Sequence, residues 1–253
     1  MSFAIETRDL TLRFGSFTAV NAVSLQVRKG ARHAIIGPNG AGKTSLVHAL
    51  TGSIPSTSGR VFISGRDMTG SSQLARVRSG LTRTFQINQL FPKLTVLDNV
   101  CMAILEREQR SKVFWTSMAA ERSVLEEGRE LLELAQLGPQ ADMVVASLPY
   151  GMRRLVEIAI ALATRPDIIV LDEPAAGVPT TQSEAIFERI AALPRDLTLL
   201  FVEHDMNLVF RFAERITVLA EGAIMTEGTP AEISKDERVR EVYLGRGGHH
   251  AAA

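Results

Sequence analysis

Apolar and polar positions alternate with a period of two over residues 3–27, in runs such as Leu10-Thr-Leu-Arg-Phe14 and Val23-Ser-Leu-Gln-Val27. That alternation predicts short strands paired antiparallel. Arg28-Lys29-Gly30 reads as a turn. After it come the apolar run Ala34-Ile35-Ile36, a glycine-rich stretch and a helical pattern from Thr44 to Leu50. Ser, Gly and Pro dominate from Gly52 to Gly65 around a short strand at Arg60 to Ser64. From about 88 to 163 the spacing turns helical, most plainly over 122–137, where Leu125, Leu132 and Ala135 are expected to share one face. Beyond Pro166, the buried strands Ile168-Ile-Val-Leu171 and Leu197-Thr-Leu-Leu-Phe-Val202 flank a helix carrying Ile186, Ile190 and Leu193 at i, i+4 and i+7. Strands alternating with helices imply a mainly parallel sheet. Arg215 to Ala220 and Ala223 to Thr226, either side of Glu221-Gly222, read as a closing hairpin. The expectation is an α/β fold: one domain over 1–246, with an N-terminal antiparallel β-subdomain and a helical subdomain inserted at about 88–163. Residues 247–253 are expected to form a disordered tail.

Composition narrows the function. The chain has 253 residues, with 28 Lys and Arg against 28 Asp and Glu, so it lacks the basic excess of a protein that binds nucleic acid through its backbone. Cys101 is the single cysteine, which excludes an intrachain disulfide and a cysteine-rich zinc site. Glu6, Arg8 and Asp9 interrupt the stretch where a secretion signal would need unbroken apolar residues. No run approaches the ~18 apolar residues of a membrane-spanning helix. A cytoplasmic location is expected, with membrane association only through a partner.

Gly37-Pro38-Asn39-Gly40-Ala41-Gly42-Lys43-Thr44 satisfies the phosphate-loop pattern G-x-x-x-x-G-K-[ST] between a predicted strand and a predicted helix. Glycines let successive backbone N–H groups turn inward around phosphates, and the helix adds its positive end. Lys43 is expected to reach the β and γ phosphates and Thr44 to ligate magnesium. Such a loop needs an acidic partner at the end of a neighbouring strand, and Ile168-Ile-Val-Leu171 runs into Asp172-Glu173. Asp172 fits the metal role, and Glu173 fits a general base that polarises an attacking water. The bland alternatives are a fortuitous glycine-rich turn and a solvated strand end.

The phosphate loop, Asp172-Glu173 and the order of elements between them resemble the ATP-binding subunit of an ABC transporter over nearly the whole chain. The resemblance implies a P-loop NTPase (RecA-like) core, ATP with Mg2+, and two subunits sandwiching two ATP molecules head to tail. It also assigns further residues. Gln86 in Arg83-Thr-Phe-Gln86 matches the Q-loop, implying contact with the metal and the attacking water. His204 in Val202-Glu-His-Asp205 matches the switch histidine, and Phe14 stands where an aromatic residue meets adenine. Where the family reads Leu-Ser-Gly-Gly-Gln, this chain has Leu148-Pro149-Tyr150-Gly151-Met152, expected to face the partner's nucleotide from the start of a helix at 153–163 with Pro149 in its first turn. The family's Ser-Ala-Leu-Asp loop appears as Ala176-Gly177-Val178-Pro179, without its aspartate.

Thr82-Arg83-Thr84-Phe85-Gln86, the run Leu90 to Val100, Glu173-Pro-Ala-Ala-Gly177 and the terminal Glu241-Val-Tyr-Leu-Gly245 resemble the branched-chain amino acid importers in particular. That likeness implies a second, different ATPase subunit, two membrane permeases and an extracytoplasmic binding protein, with this chain on the cytoplasmic face of the membrane. The lipopolysaccharide-export ATPase shares the Tyr-Leu-Gly ending and is the alternative reading, followed by a non-transport ABC ATPase and a phosphate-loop kinase.

Overall fold

The structure is a computed structural model and describes residues 2–84, 90–110 and 118–244. The described residues fall into two compact units, one within 1–81, 167–174 and 195–244 and the other within 82–166 and 175–194.

In the first unit, the long strand β1 (Phe3–Phe14) pairs antiparallel with β2 (Phe17–Val23), β3 (Gln26–Arg28) and β5 (Ser58–Ile63), and β5 pairs in turn with β6 (Arg66–Asp67). The single strand expected over Val23 to Val27 is therefore broken. Thr7 of β1 causes the break: its hydroxyl donates to the Val23 carbonyl at 2.7 Å and accepts the Leu25 N–H at 2.8 Å. Two backbone groups are thus satisfied by a buried side chain where ladder bonds would otherwise run.

The second sheet carries β4 (Arg32–Ile36), β8 (Ile168–Asp172), β9 (Thr198–Val202), β10 (Arg215–Ala220) and β11 (Ala223–Gly228) in the order β11-β10-β4-β9-β8. Neighbours from β10 to β8 are parallel and the β10/β11 hairpin is antiparallel, as the alternation of strands and helices predicts. Every residue of β4 and β9 is buried, which explains the apolar runs Ala34 to Ile36 and Leu199 to Val202, while Arg32, His33 and Thr198 are buried polar residues at the strand starts. Helix α1 (Lys43–Thr51) packs Leu46, Val47 and Leu50 into the core with Ile35, Val170 and Leu200. The short helices α2 (Gln73–Arg78), α7 (Met206–Phe212), α8 (Pro230–Ile233) and α9 (Glu237–Leu244) complete this unit, and β7 (Leu81–Arg83) begins where it ends.

The second unit is helical: α3 (Val96–Arg107), α4 (Met118–Leu134), α5 (Tyr150–Ala163) and α6 (Thr180–Ala191). Thr95 and Asp98 close a reciprocal capping box at the start of α3. A Cβ on Gly128 of α4 would stand 2.9 Å from the Leu97 side chain and 3.0 Å from the Cys101 sulfur, so glycine permits the close approach of α3 and α4. That contact sets the buried face of α4. Val124, Leu131, Leu132 and Ala135 are buried, whereas Leu125, expected to share a face with Leu132 and Ala135, is exposed. Arg107 binds both carboxylate oxygens of Glu127, at 2.6 and 2.8 Å, and the Ala163 carbonyl at 2.8 Å, joining the ends of α3 and α5 to α4. Val96 and Leu97, which open α3, are core residues, while Phe91 and Leu94, which precede it, are exposed. Among the described residues no helix is long and apolar enough to cross a membrane.

Candidate nucleotide site

The loop 37–42 leaves the end of β4 and turns into α1 through glycines with positive φ, +82° at Gly40 and +95° at Gly42. A Cβ on Gly42 would meet the Ala19 carbonyl oxygen at 2.3 Å, so the residue before α1 can only be glycine. Hydrogen bonds from the Gly222 N–H to the Ala41 carbonyl at 3.1 Å and from the Asn21 N–H to the Gly222 carbonyl at 2.8 Å tie β2 and the β10/β11 turn to the loop. Both sheets of the first unit therefore brace it.

Lys43 is buried, and its ammonium donates to the Gly37 carbonyl at 2.7 Å and the Pro38 carbonyl at 3.0 Å. Burial lowers its pKa, opposed by the charges of Glu173 and Asp172. The parallel register pairs Asp172 with Val202, so the residues following the two strand ends arrive side by side. There His204 Nε2 lies 2.6 Å from Glu173 Oε1. Glu173 is held at φ +51° while its N–H donates to the Val202 carbonyl at 3.0 Å, and the Glu203 carboxylate accepts the His204 N–H at 3.0 Å. Positive φ at a non-glycine residue is uncommon, and its occurrence at the proposed base marks a fixed backbone.

These groups share one cavity of about 260 Å³, lined by Phe17, Ala19, the loop 39–45, Glu173 and His204. Of the residues picked out in the sequence, Asn39, Gly40, Ala41, Gly42, Lys43, Thr44, Glu173 and His204 line it directly. Gly37 and Pro38 hold Lys43, and Asp172 closes β8 immediately before Glu173. Phe14 is not in the lining; its cross-strand partner Phe17 is, and both rings are exposed. Phe17, Ala19 and Ser45 are thus site residues that the motif reading missed. Gln86 lies outside the described residues.

The arrangement suits a magnesium–nucleotide complex. No cluster of three His, Cys, Asp or Glu that could hold a metal exists among the described residues. Thr44 and Asp172 offer a hydroxyl and one carboxylate. That sparse donor set would suit Mg2+, which ordinarily keeps several waters and is held by one or two carboxylates together with substrate phosphates.

In the second unit, Leu148 is buried and Pro149 (φ −54°, ψ 150°) caps α5, one residue before the first turn where the sequence had put it. Its carbonyl accepts the Met152 N–H at 3.0 Å and the Arg153 N–H at 3.2 Å, and the helix starts without a side-chain cap because the proline ring carries no acceptor. Tyr150 is exposed beneath the Arg154 guanidinium, 5.6 Å from its ring centre. Gly151 is buried against α6, where a Cβ would come 3.2 Å from Ile186, and Met152 lines a cavity of about 300 Å³ between these helices with Pro149, Gln182 and Arg189.

Residues 20–176 match the family profile described as ABC transporter, and residues 224–249 match that of the branched-chain amino acid ATP-binding cassette transporter. The chain belongs to the ABC transporter family. It is 36% identical over 248 residues, 95% of this chain and 97% of the relative, to the high-affinity branched-chain amino acid transport ATP-binding protein BraF of Pseudomonas aeruginosa. A crystal structure of an ATP-binding cassette of an ABC transporter in its ADP conformation matches with a TM-score of 0.84 and 32% identity, covering 97% of this chain and 99% of that one. A dimeric cassette bound to ADP and Pi in a post-hydrolysis state matches at a TM-score of 0.72 and 26% identity, covering 89% and 98%. This ABC cassette is thus an ATP-binding subunit with the P-loop NTPase fold, and ATP hydrolysis is its activity.

Proposed function

We propose that this ABC ATPase powers import of branched-chain or related amino acids, from the cytoplasmic face of the membrane, in a complex of two ATPase subunits, two permeases and an extracytoplasmic binding protein. The names of its relatives and the match over 224–249 support the substrate class. The hydrolytic role rests above all on the Glu173 to His204 contact of 2.6 Å beside the phosphate loop. In this reading the loop's N–H groups and the N-terminus of α1 hold the phosphates and Lys43 exchanges its carbonyl partners for phosphate oxygens. Thr44, Asp172 and Gln86 would hold Mg2+, which supplies charge neutralisation on the phosphates. Glu173 accepts the proton of the attacking water, and His204 fixes the orientation of that carboxylate and meets the γ-phosphate. Leu148 to Met152 would serve the nucleotide of the other subunit.

The decisive experiment is Glu173→Gln in the assembled transporter. An amide keeps the shape but cannot accept a proton, so ATP binding should persist while phosphate release slows by ~10²-fold or more. Equal release rates would remove Glu173 as the base. Uptake of labelled leucine by vesicles carrying the reconstituted complex tests the substrate class, and its absence alongside intact ATP turnover would overturn that class alone.

A further inference from the structure

The C-terminus of α1 is closed by an arginine that no motif marks. A helix leaves its last carbonyls without intrahelical partners. In α1 the His48 carbonyl accepts the Gly52 N–H, and the Ala49 and Leu50 carbonyls both accept from one guanidinium nitrogen of Arg76, at 2.6 and 2.5 Å. The other terminal nitrogen donates to the Met68 carbonyl at 3.1 Å. Arg76 comes from α2 and is only 2% exposed, among the largest fully buried side chains described. Gly52, at φ +75°, makes room for it, since a Cβ there would stand 3.0 Å from Arg76 Nε. The acceptors of its two terminal nitrogens are all backbone carbonyls, it makes no ion pair among the described residues, and burial lowers its pKa. A buried cation without a counter-ion is costly. Here its balance comes from the negative end of the nine-residue helix that begins at Lys43.

We propose that Arg76 is a positioning residue for the nucleotide, neutralising the buried negative end of α1 so that the opposite, positive end is presented undiminished to the polyphosphate. The proposal rests on the phosphate-loop reading of residues 37–44. Nine residues place the guanidinium roughly 13 Å of helix from the loop. That distance is too long for contact but within the reach of a charge acting through protein of low dielectric constant. The effect therefore grows with ligand charge, whereas a purely structural cap would affect all nucleotides alike.

The test uses the full chain and measures ATP and ADP affinities by titration calorimetry for the wild type, Arg76→Gln, Arg76→Lys and Lys43→Ala. Gln retains donors for the carbonyls without the charge, and Lys retains the charge. Arg76→Gln should weaken ATP about 10-fold and ADP about 4-fold, while Arg76→Lys keeps the wild-type ratio of the two affinities. Equal losses for both nucleotides, no loss, or a changed ratio in Arg76→Lys would overturn the proposal. If Arg76→Gln fails to fold, Arg76→Met supplies the uncharged variant: a larger loss for ATP than for ADP is expected, and equal losses would overturn the proposal. Wild-type affinity in Lys43→Ala would instead overturn the phosphate-loop reading itself, so the two failures are distinguishable.

Discussion

Phe17 and Phe14 are a directly opposed cross-strand pair at the tip of the β1/β2 hairpin, yet only Phe17 lines the cavity. An exposed aromatic ring beside a phosphate loop offers a flat apolar face to a purine, and such a contact is worth roughly 1 kcal/mol beyond area burial. Phe17→Ala should weaken ATP binding about 5-fold, and Phe14→Ala should leave it within 2-fold in the same fluorescence titration. The reverse order would return the adenine contact to Phe14. At this scale, residues whose chemistry resides in contiguous strings were legible: Lys43, Asp172, Glu173 and His204 need a fixed residue type beside a strand end, and the fold brings them there. Phe17 was not, because alternation cannot say which ring of a hairpin pair turns to the loop; the short Gly15-Ser16 turn between them was the available signal. Arg76 gave none, since an arginine in a short polar helix reads as solvated.

At the scale of the element, α5 buries an ion pair that is poorly matched. Glu157 is 5% exposed, meets the Arg154 guanidinium at 3.2 Å through one oxygen, and has no partner for the other among the described residues. Burial outweighs the attraction of Arg154 and pushes the carboxyl up to about 7. With a folded value above the unfolded one, the native state binds more protons between about pH 4.5 and 7, so stability falls as pH rises through that window and levels off above it. Glu157→Gln should abolish that slope. We expect a melting temperature about 2–4 °C above wild type at pH 8 and unchanged at pH 5; a parallel shift at both values would show that titration is not the cause. The helices themselves followed from apolar spacing, but their faces did not. Leu125 was expected on one face with Leu132 and Ala135 because periodicity alone leaves α4 free to rotate, and the approach at Gly128 fixes which stripe meets α3.

At the scale of the whole molecule, the departures at Pro149 and Pro179 belong together. Each proline caps a helix without a side-chain hydrogen bond, α5 in one case and α6 in the other. The two starts pack on one another: a Cβ on Gly177 would lie 3.4 Å from the Tyr150 ring, and one on Gly151 would lie 3.6 Å from Val178. The architecture was legible because strand and helix order survives such changes. Their effect on a partner was not, because it arises only where two chains meet. In a head-to-tail pair of cassettes this chain would offer its partner's nucleotide backbone N–H groups and the α5 dipole, without the hydroxyl that the family's serine supplies.

A lost hydrogen bond to a charged phosphate oxygen is worth on the order of 1.5–3 kcal/mol, which slows a site ~10-fold or more when the loss is felt in the transition state. The two sites of the transporter should therefore be unequal, with a second ATPase carrying the regular Leu-Ser-Gly-Gly-Gln. The faster site would join Lys43, Asp172, Glu173 and His204 of this chain to that partner's motif. Placing the Glu-to-Gln change in one subunit at a time within the full complex measures this directly, and the change at Glu173 should remove most of the ATPase activity. Greater damage from the partner's equivalent change, or a homodimer of this chain that already hydrolyses ATP at the rate of the full complex, would show instead that Pro149 costs the opposing site nothing.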